Sequence, residues 1–175
     1  MRALGLVPIY PGDGKGKPTA AVGLAARAAG DGIPVLFVQF LKNMPTGELM
    51  SLRKLGIPVI RGKAGEGFTD TMTGGELTES RQIHDRNLRA ALDAARRGEC
   101  GVLVLDEVMA ALNLGLLDGE PLREFLDHRP EGVEVVLTGR NPPQWLLDRA
   151  DYITEMKKLR HPYDRGITAR RGIEE

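Results

Sequence analysis

The sequence predicts an α/β protein of three layers, helix on sheet on helix, around a mostly parallel sheet. Three observations carry this expectation. Short apolar runs rich in β-branched residues alternate with longer segments of helical periodicity, the order that βαβ units impose. Runs such as Val102-Leu-Val-Leu105 and Val133-Glu-Val-Val-Leu137 suit strands buried on both faces, as parallel strands are. The densest turn signal, Gly12-Asp-Gly-Lys-Gly16, falls between the first strand and the first helix.

Each element follows from its residues. Strands are expected at 4–10, 35–39, 59–61, 102–106, 133–138 and 152–155. The alanine-rich helix 19–29 ends at Gly30, and Thr46 caps a helix over 47–55 that stops at Gly56. The longest helix runs over 75–97. Thr73 and Glu76 stand at capping-box spacing before it, and Leu77, Ile83, Leu88, Leu92 and Ala95 share one face. Pro121 takes a first-turn position before 122–128, and Asn141-Pro142 opens a helix that reaches Arg149. No repeat, heptad series or serine-rich linker interrupts the chain, so residues 1–175 read as one domain.

Composition narrows the function. A chain of 175 residues, 42% apolar and 27% charged, is long enough for one packed core and too apolar for global disorder. Twenty-four basic residues balance 24 acidic ones. That excludes a generally basic binder of nucleic acid or anionic membrane and makes any anion site a local one. A single cysteine, Cys100, excludes an intrachain disulfide and a multi-cysteine metal site, and reads as a buried structural thiol. No apolar run approaches the ~20 residues of a membrane span. Residues 1–10 run into a glycine-rich turn without a cleavage pattern, so they read as a strand, and the protein as cytoplasmic. His84, His128 and His161 are too dispersed for a metal cluster, and Trp145 anchors a helix.

The 22 glycines, well above the usual share of about 7%, are explained by position. Gly12, Gly14 and Gly16 let successive backbone N–H groups turn around an anion. Lys15 and Lys17 supply charge, and a helix N-terminus follows. The usual phosphate-loop spacing G-x-x-x-x-G-K-[ST] puts proline at both position 11 and position 18, so the strict pattern fails twice; a glycine-rich hairpin is the alternative. The second element is Val102-Leu-Val-Leu-Asp-Glu107, a strand ending in two carboxylates. In phosphate-loop proteins this strand is expected beside the first, its acidic end holding Mg²⁺ over the phosphates. Glu107 then either activates water or serves the metal while another nucleophile attacks.

These residues resemble the ATP:corrinoid adenosyltransferases of the P-loop type, whose shortened loop T-G-x-G-K-G-K-T-T-A-A is matched by Gly12-Asp-Gly-Lys-Gly-Lys17 and Thr19-Ala-Ala21. Further stretches look like family motifs: Ala25-Ala-Arg-Ala28, Val38-Gln-Phe-Leu-Lys42, Gly67-Phe-Thr69, Leu105-Asp-Glu107, Arg129-Pro130, Leu137-Thr-Gly-Arg140, Ala150-Asp151 and the stretch from His161-Pro-Tyr-Asp to Gly172-Ile173. The resemblance implies a RecA-like P-loop NTPase fold, usually a homodimer. It also implies a reaction: a Co(I) corrinoid, cob(I)alamin or a relative, attacks C5′ of ATP and expels triphosphate, with Mg²⁺ or Mn²⁺ present and a flavoprotein supplying electrons. Carried over by position, it implies that Gly12, Gly14, Lys15, Gly16, Lys17 and Thr19 bind the triphosphate, with Lys17 and Glu107 catalytic. Asp13 and Arg27 then lie near the nucleotide, Glu107 and Asp106 serve the metal, and Phe68 packs on the corrinoid. Arg160, His161 and Tyr163 are site candidates from the tail. A solvated helix charge is the alternative for Arg27, and core packing for Phe68.

Two departures bear on the chemistry. Pro18 stands where the family has a threonine that ligates Mg²⁺, and Asp70 stands where some members have tryptophan two residues after the phenylalanine. The chain also begins at the first strand and so resembles the short form of the family. Two rival functions follow: a small P-loop ATPase or kinase with Glu107 as base, or a nucleotide- or corrinoid-binding protein that has lost turnover through Pro18 and Asp70.

Overall fold

The computed structural model describes residues 5–42, 44–62 and 74–174. Phe68, Asp70 and the Thr73 half of the capping box lie outside them. Within them, β1 (Pro8–Pro11), β2 (Val35–Gln39), β3 (Val59–Arg61), β4 (Val102–Asp106), β5 (Glu134–Gly139) and β6 (Tyr152–Ile153) form one parallel sheet in the order β3-β2-β4-β5-β1-β6. The helices are α1 (Lys17–Gly30), α2 (Gly47–Lys54), α3 (Gly74–Arg96), α4 (Val108–Asn113), α5 (Glu120–Asp127) and α6 (Gln144–Leu147). A 3-10 turn, Pro162–Arg165, follows β6.

Every residue of β2 and β4 is buried, and their alternation sorts the core into two layers. Leu36, Val38, Leu103, Leu105, Val135 and Leu137 meet Leu88 and Leu92 of α3 and Leu122 and Phe125 of α5. Val35, Phe37, Val102, Val104 and Val136 face the other way, onto Ala21, Ala25 and Ala28 of α1 and Leu52 of α2. The alanine row explains how α1 sits close enough to the sheet for the loop before it to crown the strand ends.

Three expectations change. The strand ending in Asp106 does not lie beside β1. β5 pairs with both, Leu137 standing between Leu105 and Ile9 in register, so the acidic end reaches the phosphate loop across a Thr138 that belongs to the strand between. The first strand is shorter than 4–10: Leu6 N–H donates to Glu134 Oε2 and Val7 N–H to Asp151 Oδ2, carboxylates taking amides that a ladder would otherwise use. Finally, α4 is a helix the periodicity does not announce. Six residues long, it follows Glu107 directly, and Glu107 sits in the left-handed region at φ 60° to make the turn.

Candidate active site

The loop between β1 and α1 is shaped by glycines at positive φ, Gly12 at 127° and Gly16 at 119°, a region that other residues enter at a cost. Gly16 stands at the N-cap of α1, and Pro18 falls in its first turn, where a proline ring and a missing N–H are tolerated. Lys17 is only 5% exposed, and its Nζ donates to Gly14 O at 2.9 Å. Burial pushes its pKa down, with Glu107 opposing and Arg140 adding to the fall.

The glycines have a second reason. The chain leaving β6 lies directly on the loop: Met156 N–H donates to Pro11 O at 2.8 Å, Gly14 N–H to Met156 O at 2.6 Å, and Lys158 N–H to Asp13 Oδ1 at 2.9 Å. A Cβ on Gly12 or Gly14 would stand 2.3 or 2.6 Å from Met156 O. Asp13 is thereby occupied in clamping this strap, and the amide of Lys158 holds its pKa low.

Opposite the loop, Asp106 is fully buried with both oxygens engaged: Thr138 Oγ1 donates to Oδ1 at 2.7 Å and Lys42 Nζ to Oδ2 at 2.8 Å. The Thr138 hydroxyl in turn accepts from Glu107 N–H at 2.9 Å. Lys42 also donates to Glu48 Oε1 at 3.0 Å, where Gln39 Nε2 joins it. Burial pushes Lys42 down, but Asp106 and Glu48 more than offset it, so the ammonium is favoured. Glu107 differs from its neighbour. Its carboxylate accepts no hydrogen bond among the described residues, and burial, with Asp106 beside it, raises its pKa against the pull of Lys17, Lys42 and Arg140.

A cleft of about 620 Å³ is lined by the loop, by Lys42 and Glu48, and by Arg140, while Asp106 and Glu107 lie outside its lining. Its floor is Asp13 to Thr19, one wall carries Lys42 and Glu48, and Arg140 closes the end. The tail forms the remaining wall through His161, Tyr163 and residues 167–174. There Glu174, drawn down to a pKa of about 2 by Arg170, also lies 3.8 Å from Lys15 Nζ.

Of the residues expected in the site, Asp13, Gly14, Lys15, Gly16, Lys17 and Thr19 line this cleft, as do His161 and Tyr163 from the tail. Gly12 supports it from beneath, donating its N–H to Gly139 O at 3.2 Å. Asp106 and Glu107 stand at the β4 end, but Asp106 offers no uncommitted oxygen. Arg27 is exposed in the last turn of α1 and does not line the cleft; ten residues after Lys17, it lies about 15 Å along the helix. Arg160 is likewise exposed and outside the lining residues. Sequence reasoning assigned no role to Lys42, Glu48, Thr138 or Arg140. Three of them lie inside matched motif stretches, and their signal was a polar residue placed at the end of a buried strand.

A parallel α/β sheet with a glycine-lysine loop at the first strand end, beside a cleft, and with two carboxylates at the end of β4 defines a P-loop nucleotide-binding protein. Residues 3–174 match the model of the family described as ATP:corrinoid adenosyltransferase BtuR/CobO/CobP. The corrinoid adenosyltransferase of Pseudomonas aeruginosa is 35% identical over 175 residues, covering 97% of this chain and 83% of that protein. Corrinoid adenosyltransferase CobA of Salmonella typhimurium is 32% identical over 178, covering 97% and 85%. The chain belongs to the ATP:corrinoid adenosyltransferase family.

Proposed function

We propose that this chain transfers the 5′-deoxyadenosyl group of ATP to the Co(I) centre of a reduced corrinoid, in adenosylcobalamin formation or salvage. The cobalt electron pair forms the Co–C5′ bond while the C5′–O bond breaks and triphosphate leaves. The observation that carries this reading is the cleft itself, a lysine-lined cradle for a triphosphate in a chain of this family. The residues have three tasks: to hold the leaving group, to neutralise the charge it develops, and to keep C5′ in line with the nucleophile. Lys15 and Lys17 serve the first two. When ATP binds, Lys17 exchanges Gly14 O for a phosphate oxygen, so that both donor and acceptor carry charge.

The donor set fits a hard divalent ion such as Mg²⁺ or Mn²⁺. Glu107 presents an uncommitted carboxylate, and such ions are commonly held by one or two carboxylates together with substrate phosphates. Glu107 would hold the ion, which supplies charge neutralisation at the phosphates. Asp106, fixed by Thr138 and Lys42, acts by holding the end of β4 in place. Pro18 contributes neither hydroxyl nor N–H. Phe68 packs on the corrinoid, electrons for Co(I) come from a separate flavoprotein, and the protein works in the cytoplasm. We assign it a homodimer as well, for which the open β6 edge offers Tyr152 and Ile153, 55% and 54% exposed.

The test is anaerobic: protein, Mg²⁺–ATP and chemically reduced cobalamin, followed by Co(I) absorbance and a triphosphate assay. Adenosylcobalamin and triphosphate in equal amounts are expected. Orthophosphate without adenosylation would make the chain an ATPase. Binding of both ligands without turnover would make it a binding protein.

A further inference from the structure

Lys42 has more donors than holding Asp106 requires. Its ammonium has three N–H groups; two go to Asp106 Oδ2 and Glu48 Oε1 at 2.8 and 3.0 Å, and the third has no partner among the described residues. The side chain is 23% exposed, and Lys42 lines the same cleft as Lys15, Lys17 and Arg140. Lys17 and Lys42 line one cleft, and both pull on the Glu107 carboxylate. Glu48, in the first turn of α2, and Gln39 fix the stem from behind. Meanwhile the loop is short of two things at position 18, a metal-ligating hydroxyl and a backbone donor.

We propose that Lys42 is a phosphate-binding residue of this enzyme: with its ammonium docked on Asp106 and Glu48, its third N–H gives the triphosphate the donor that Pro18 withholds, so that ATP is held there with or without a divalent ion. An ammonium is a compact point charge well suited to phosphate oxygens, and it stays in place whether or not a metal is present. This rests on the function proposed above.

A purely structural Lys42 would neutralise Asp106 and Glu48, so the test removes both needs. ATP affinity is measured by calorimetry in EDTA for the full chain, for Asp106→Asn with Glu48→Gln, and for that pair with Lys42→Met. Relative to the pair, the triple variant is expected to bind metal-free ATP about 10- to 100-fold more weakly, the worth of a hydrogen bond between charged groups. Equal affinity within about twofold overturns the proposal. If the triple variant does not fold, Lys42→Gln is compared with the unaltered chain under the same conditions; the same loss is expected, and an unchanged affinity again overturns the proposal. Lys42→Arg retains metal-free binding. Adenosylation by the unaltered chain separates the two ideas. Turnover with a metal-free affinity indifferent to Lys42 defeats this inference alone, and no ATP affinity with or without Mg²⁺ defeats both.

Discussion

Three single residues set the chemistry of the cleft. Pro18 keeps the shape of the loop and subtracts a ligand and a donor, so Pro18→Thr is expected to tighten Mg²⁺–ATP binding about tenfold, by calorimetry. The added hydroxyl serves the ion, so metal-free ATP affinity should not change; unchanged Mg²⁺–ATP affinity would mean that Thr19 already fills the role. Glu107 has its pKa raised above 4.5 by burial and by Asp106. The carboxylate that serves a cation therefore forms only at higher pH than usual, and the acid limb of adenosylation is expected above the ordinary carboxylate range. Glu107→Gln should lose that limb together with most of the activity. Gly14 faces Met156 O so closely that Gly14→Ala must move backbone, at a cost of about 1–3 kcal/mol in denaturant unfolding.

Among the elements, α3 was the most legible. Of the face read from Leu77, Ile83, Leu88, Leu92 and Ala95, all but the half-buried Leu77 are buried, because a long helix repeats its signal often enough to be read without its partners. Ser80 and His84, at i and i+4 ahead of Leu88, lie on the same buried face but, being polar, do not add to an apolar pattern. His84 is 2% exposed, with its ring edge-on to Phe40 at 5.7 Å. Burial lowers its pKa below 6.5, so the folded state binds fewer protons than the unfolded one. The sign follows: stability is complete above pH 6.5 and is lost as pH falls through the lowered value. Urea titrations between pH 5 and 8 should show this slope, and His84→Phe should flatten it. The short α4 was illegible for the opposite reason, since six residues without a cap give too little period to separate helix from strand.

At the scale of the molecule, sheet class and nucleotide-loop position could be read from the sequence, but strand order could not. Local periodicity marks a parallel strand without naming its neighbours, and nothing within 133–139 says that it inserts between β1 and β4. The consequence is chemical, because Thr138 became the relay between Asp106 and the Glu107 backbone only through that insertion. The tail reads in sequence as a solvated charge run, with candidates carried over from the family. Its basic residues are exposed as that reading has it, and the tail also supplies a wall of the cleft. Ending the chain after Leu159 keeps the strap and should leave the melting temperature within a few degrees, while loss of that wall weakens ATP binding about tenfold by calorimetry.

The strap also fixes when the site comes into being. Asp13 is made 145 residues before Lys158, and three backbone and side-chain bonds of Pro11, Asp13 and Gly14 wait for Met156 and Lys158. During vectorial synthesis the loop therefore emerges without the strand that shapes it. Nucleotide capture is deferred until the segment through Lys158 has left the ribosome, and a chain terminated before it holds no finished cradle.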